Sequence, residues 1–468
     1  MSAVLKPAAQ PVLPIAATLA AFVTETAFEG LPSATRERAK HLMLDAIGIG
    51  FASTTFDFAR ASLAGTRALG GSGESVVLGM NARLAVRDAV MINGILMHGL
   101  DYDDTHVPGV IHPTVSLLPT VLAQGAALHA SGRDVLAAYV LGVEAATRLA
   151  TVAKGGFHTL GFHPTGLVGA FGCTLAAGRL LGLTQAQLVM AQGIALSMAG
   201  GNLEFLEDGA WTKRLHPGWA GVAGITAATM ARHGFIGPAA AYEGRYGLYA
   251  THLANGGKGA DLSIATSRLG QDWELHNVAV KPHPLCHLTH ACADAAIALH
   301  RRGIDPNRIR RATALVPAEA VQVVCEPVPN KRRPQNDYDA RFSIPFVVAS
   351  GLIKGRVGLA ELEPSELTSP TVLALADRVE YRLDPDTGFP KYYSGEVIVE
   401  LDDGTEFRHR EHINRGAADR PITEAEIVAK FLDNATLAIP RARAESLCEM
   451  VLGLDACADI TTLADALA

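Results

Sequence analysis

Through the first half of the chain, apolar residues recur every three to four positions, the spacing of helices that bury one face. Ser131 and Asp134 form a capping-box pattern ahead of Leu136, Val140 and Val143, which line up as one apolar stripe. Thr184 and Gln187 repeat the pattern before a stretch running to Met198. Pro164 to Leu181 is crowded with small residues, among them Gly166, Gly169, Gly172 and Ala176, and predicts a helix whose neighbours approach closely. Pro217 to His233, followed by Gly234, has proline first and glycine just past the end, as a complete helix would. No fixed repeat period is present, which excludes a solenoid.

Near residue 275 the pattern changes. Ile309 to Cys325 is β-branched and strand-like, and Arg378–Leu383 and Glu396–Leu401 alternate in the same way. Asp402-Asp403-Gly404 supplies a hairpin turn into Thr405–Arg410. Helical spacing resumes at Thr423, which forms a capping box with Glu426. The expectation is a mostly α fold. A large helical domain is formed by both chain ends, residues 1–275 and 411–468, with a smaller α+β lid domain, residues 276–410, inserted between them. A cleft between two such domains is a common place for a small-molecule site.

Composition narrows the function classes. The 468 residues suggest two or three domains, and 49% hydrophobic with 19% charged residues is a globular profile. A net charge of −7 without a long Lys/Arg run argues against a nucleic-acid binder. The six cysteines contain no CxxC pair, which argues for reduced thiols and against an iron–sulfur cluster or a zinc ribbon. No contiguous apolar run approaches the about 20 residues of a membrane span. Val12–Val23 imitates a signal peptide, but Pro11, Pro14 and Glu25 interrupt or border it. A cytoplasmic protein is expected.

Four His-Pro pairs occur where chance would give about one: His112-Pro113, His163-Pro164, His216-Pro217 and His283-Pro284. With proline at the first helical position, each histidine would be an N-cap, where backbone N–H groups and the helix dipole attract anions. Lys213 and Arg214 precede His216, and Lys281 precedes His283. These are cations beside expected helix N-termini, to be compensated by a bound polycarboxylate or by Glu204, Glu207 or Asp208. The segment His98-Gly-Leu-Asp-Tyr-Asp-Asp-Thr-His106 sets three aspartates between two histidines. It reads as an acid–base pair, as a solvated turn, or as a hard-cation site, although its spacing matches no metal motif. Gly70-Gly71-Ser72-Gly73 lacks the strand–GxGxxG–helix order of a dinucleotide site. Neither a Walker motif nor a nucleophile elbow is present.

Taken in order, the His98–His106 run, Gly161-Phe-His-Pro-Thr-Gly166, Asp208-Gly-Ala-Trp-Thr-Lys-Arg-Leu-His-Pro-Gly-Trp219, Glu243-Gly, Lys281-Pro-His-Pro-Leu-Cys-His-Leu-Thr-His290 and Ala340-Arg-Phe-Ser-Ile-Pro345 resemble the MmgE/PrpD family. The resemblance runs over about residues 15–430. It implies a helical domain with a lid, a homodimer, no metal or other cofactor, and a small polycarboxylate as substrate. It also implies Asp101, His112, His163 and Lys213 as catalytic residues and Thr105, Lys281, His287 and Tyr338 as substrate contacts. The family holds 2-methylcitrate dehydratase, cis-aconitate decarboxylase and iminodisuccinate epimerase. Five residues beyond Lys281, where the decarboxylase branch has a histidine, Cys286 stands here. Dehydration of a 2-methylcitrate-like hydroxy acid is therefore the first expectation, epimerisation of an imino- or hydroxy-dicarboxylate the second, and decarboxylation of a cis-aconitate-like acid the third.

Overall fold

The computed structural model describes residues 14–468. Helix Pro164–Leu180 lies at the centre of the larger layer, against Thr114–Ala127, Gly132–Val152, Gln185–Leu196 and Thr212–Arg232. Its small residues permit this: a Cβ on Gly172 would stand 2.7 Å from the Gly142 carbonyl oxygen. The boxes at Ser131/Asp134, Thr184/Gln187 and Thr423/Glu426 all form, each side chain accepting the third backbone N–H of its helix.

One hydrophobic core runs through the helices from Ile15 to Val280 and continues into residues Ile422–Leu467. Helix Glu424–Ala435 lies on Ser33–Ser53 so tightly that a Cβ on Gly48 would reach 3.0 Å from the Phe431 Cα. A second core gathers Leu285–Phe407 and borrows Phe205 from the helical layer. Its sheet has the order Val379–Leu383, Ile309–Val316, Gly395–Leu401, Glu406–Glu411, with the first pair parallel and the others antiparallel.

Four local expectations change. The strand from Ile309 stops at Val316, because Pro317 cannot donate to the ladder, and Val321–Cys325 is helical instead. The helix expected from Pro217 starts at Thr212 and carries Pro217 inside it. Only His163 among the four His-Pro histidines is a helix N-cap: His112 precedes its helix by two residues, His216 lies inside one, and His283 is in a loop. Finally, Gly132–Val152 is long and apolar enough to cross a membrane by length and composition, although no contiguous apolar run announces it. Its apolar window is 94% buried within the protein, as a core helix would be.

Candidate active site

The site grows from the C-terminus of helix Val86–His98, where unpaired carbonyls and the dipole favour positive charge. The next four carbonyls each accept a hydrogen bond from a different buried cation. Arg214 Nε donates to Gly99 O (2.7 Å), Arg341 Nη1 to Leu100 O (2.7 Å), Lys281 Nζ to Asp101 O (2.8 Å) and Lys430 Nζ to Tyr102 O (2.9 Å). Asp101 is held in the left-handed region at φ 49°, a conformation Asp tolerates better than most residues. Residues Thr105–His106 then pair antiparallel with Val278–Ala279, Thr105 opposite Ala279, which delivers Lys281 to the loop.

The two lysines converge on one oxygen. Lys213 Nζ stands 2.6 Å and Lys281 Nζ 3.2 Å from Asp101 Oδ1, and all three side chains are buried. Burial alone would push the Asp101 carboxyl up, but the two lysines, with His112 and His98, hold it well below the usual carboxylate range. Its Oδ2 has no hydrogen-bond partner. Asp104, three residues on, behaves oppositely. Burial, reinforced by Asp103 and Asp45, raises it to about 8 against the bonds from Thr114, so it is protonated at neutral pH.

Four histidine rings enclose this cluster. His98 and His163 are stacked at 5.7 Å, and His112 lies 5.1 Å from His98 and 6.1 Å from His163. His163 Nδ1 and His216 Nδ1 are 2.9 Å apart and share one proton. His112 donates from Nδ1 to the Asp104 carbonyl (2.6 Å), with Thr105 Oγ1 3.3 Å away. His98 Nδ1 lies 2.8 Å from Asp103 Oδ2. Burial, with Lys281 and Lys213 nearby, lowers His112 to about 3 despite the pull of Asp103. Burial and His98 lower His216 to about 4. Burial and His216 lower His163 well below the ordinary value. Asp103 stays ionised: burial works against it, but His98 and His112 hold it at about 2.

A buried carboxylate clasped by two lysines within a ring of histidines is a site for carboxylate anions and protons. Comparison with known proteins gives the family. The MmgE/PrpD N-terminal domain matches residues 17–259 and the MmgE/PrpD C-terminal domain residues 283–456. The chain belongs to the MmgE/PrpD family. It is 30% identical over 445 residues to the cis-aconitate decarboxylase of Homo sapiens, covering 91% of this chain and 89% of that protein. The Mus musculus cis-aconitate decarboxylase is 29% identical over 444 residues, covering 91% and 88%. The cis-aconitate decarboxylase-like protein oryM of Aspergillus oryzae is 27% identical over 467 residues, 96% of each chain.

In this MmgE/PrpD chain, Asp101, Thr105, His112, His163, Lys213 and Lys281 come together. Tyr338 stands beside them on Asp337–Arg341, edge-on to Phe205 and under the Arg214 guanidinium. His287 lies within reach of the charges of Lys281 and Asp101 but makes its own contacts elsewhere. Its Nε2 pairs with the Asn414 side-chain amide at 2.9 Å and its ring packs on Tyr393, with no hydrogen bond to the aspartate–lysine cluster. The turn at 101–104 is not solvated: all three aspartates are buried. Lys213 is compensated by Asp101 and not by Glu204, Glu207 or Asp208. His283 bonds Asp294 Oδ1 (2.9 Å) and packs on His290, away from the cluster.

The sequence names His98, Asp103 and Arg341 only as members of motifs, and nothing in it points to Lys430. The carbonyls of Leu100 and Tyr102 that Arg341 and Lys430 reach lie 241 and 328 residues away, so no spacing announces these bonds. Among the described residues, no three His, Cys, Asp or Glu side chains are grouped as a metal ion would require. A cavity of about 530 Å³ lies away from this site, between Ser75–Leu84 and Thr461–Leu467. Beside Tyr338 and Phe342 only about 10 Å³ is open.

Proposed function

We propose that the protein is a lyase that breaks a bond next to a carboxylate of a small tricarboxylic acid, first of all the loss of CO₂ from a cis-aconitate-type acid. The observation that carries this reading is the Asp101 carboxylate held between Lys213 and Lys281. A substrate carboxylate takes over those ammonium groups. Breaking a C–C or C–O bond beside a carboxylate leaves electron density on that group, and fixed cations in a buried site stabilise it strongly. His112 and His163 move protons, Asp101 orients them and the lysines, and Thr105, Tyr338 and His287 line the substrate's path. That the relatives are cis-aconitate decarboxylases supports loss of CO₂ over loss of water.

Dehydration of a 2-methylcitrate-type hydroxy acid is the second reading. It is favoured by Cys286, which replaces the histidine of the decarboxylase branch and lies near Asp101 and Lys281. Burial raises that thiol, so it stays neutral and supplies neither the charge nor the proton a histidine would. The proposal includes a homodimer of the 49.1 kDa chain, tested by sedimentation equilibrium, and a reducing cytoplasm, with which six free cysteines agree.

Proton NMR of the protein with cis-aconitate, 2-methylcitrate, citrate and iminodisuccinate in D₂O tests the reaction. Consumption of cis-aconitate with a new methylene alkene and released CO₂ supports the first reading. An alkene formed from a hydroxy acid moves the second to the front. Deuterium entering an acid that loses neither CO₂ nor water means an isomerase and overturns the lyase.

A further inference from the structure

We propose that His98, held by Asp103, is the group that carries the proton between solvent and the reacting substrate carbon. The inference rests on the lyase reading above and adds a residue that the family resemblance did not nominate.

The four clustered rings differ in what their inner nitrogens meet. His112 spends Nδ1 on a neutral carbonyl, and its distance to Asp103 Oδ2 is 3.6 Å. His163 and His216 spend theirs on each other. His98 alone among the four has a carboxylate on Nδ1 at hydrogen-bond distance, 2.8 Å. A carboxylate there fixes the tautomer with Nδ1–H inward, stabilises the imidazolium, and leaves Nε2 for chemistry. His98 Nε2 is buried and has no partner, in a ring enclosed by His112 and His163. His98 is also the last residue of helix Val86–His98, where the dipole favours a cation. The other groups around it are Asp101, Lys213 and Lys281, whose charges balance in part through the Asp101 ion pairs. Burial leaves His112, His163 and His216 uncharged at neutral pH, so they move protons by accepting them, and the donor must be another group.

The step balances without a co-reactant. In loss of CO₂, the bond between the departing carboxylate and the substrate carbon breaks and its electron pair stays on the substrate. That pair becomes the new methylene alkene, and the former alkene's pair moves to the carbon beside the remaining carboxylate. That carbon takes the proton from His98 Nε2–H, and His98 regains one from water. In loss of water, His98 Nε2–H gives its proton to the departing hydroxyl as the C–O bond breaks. Neutral His112 or His163 takes the proton of the neighbouring carbon, whose C–H electron pair forms the alkene.

His98→Gln and Asp103→Asn, each checked for fold by circular dichroism, test the proposal alongside the wild type. The expected result is a fall in kcat of about 10²–10⁴-fold for His98→Gln. Asp103→Asn loses at least about tenfold, and KM stays within a few-fold in both. Proton NMR of the unliganded wild type should show a low-field Nδ1 proton that vanishes in Asp103→Asn and in His98→Gln. A folded His98→Gln enzyme that keeps a third or more of wild-type kcat overturns the proposal. If His98→Gln does not fold, Asp103→Asn decides by the same criterion. If the wild type turns over none of the acids, the lyase reading fails, and the low-field proton decides the dyad separately. Its absence, or its persistence in Asp103→Asn, overturns the dyad, whereas its loss on that substitution supports it.

Discussion

Asp101 and Asp104 stand three residues apart, both buried, and at neutral pH the first is ionised and the second neutral. The difference is in their partners: two ammonium groups for Asp101, a threonine hydroxyl and amide for Asp104. Asp104 is raised to about 8 in the fold, so its favourable contribution is complete below the unfolded carboxylate value and is lost as pH rises towards 8. Wild-type stability should therefore fall relative to Asp104→Asn by about 1.4 kcal/mol per pH unit between pH 5 and 8, then level off. Urea unfolding of both proteins at pH 5, 7 and 9 measures this, and a pH-independent difference would contradict it. The sequence displayed the aspartates and histidines of 98–106 as a cluster. It could not tell which carboxylate is ionised, because Lys213 and Lys281 arrive from elements more than 100 residues away.

At the scale of elements, the site depends on how closely Val86–His98 and Thr212–Arg232 cross. A Cβ on Gly94 would stand 2.5 Å from the Gly218 Cα, so Gly94→Ala must push the helices apart. The expected cost is about 1–3 kcal/mol of stability, with a more than tenfold loss of turnover because Lys213 moves relative to Asp101. An alanine variant with wild-type kcat would separate this crossing from the chemistry. On the other side, Lys430 of helix Glu424–Ala435 donates to Tyr102 O and Lys281 O and pairs with Asp45 at 2.7 Å. Lys430→Met should cost about 3–5 kcal/mol by leaving Asp45 buried without its partner, and adding Asp45→Asn should recover part of it. Denaturant titration of the single and double variants checks this.

Helix starts with capping boxes and the Asp402–Gly404 turn were legible because their determinants are local. The start of Thr212–Arg232 was not. Pro217 looks like a first residue, but Lys213 and Arg214, fixed by Asp101 and the Gly99 carbonyl, extend the helix past it. The proline sacrifices one backbone hydrogen bond there.

Across the whole molecule, the helical core built from both chain ends and the core around the sheet meet where Phe205 joins the second cluster. That two-layer plan was readable from the change in apolar period near residue 275. The bonds of the buried cations were not, because Arg341 and Lys430 reach carbonyls 241 and 328 residues away.

The most direct test of the account is turnover by Lys213→Ala in the NMR assay, with circular dichroism and a thermal melt on the same sample. The expected result is a folded protein whose turnover is lower by about three orders of magnitude, because one of the two ammonium groups that hold the substrate carboxylate is gone. A folded Lys213→Ala enzyme that converts the acid at the wild-type rate would contradict it.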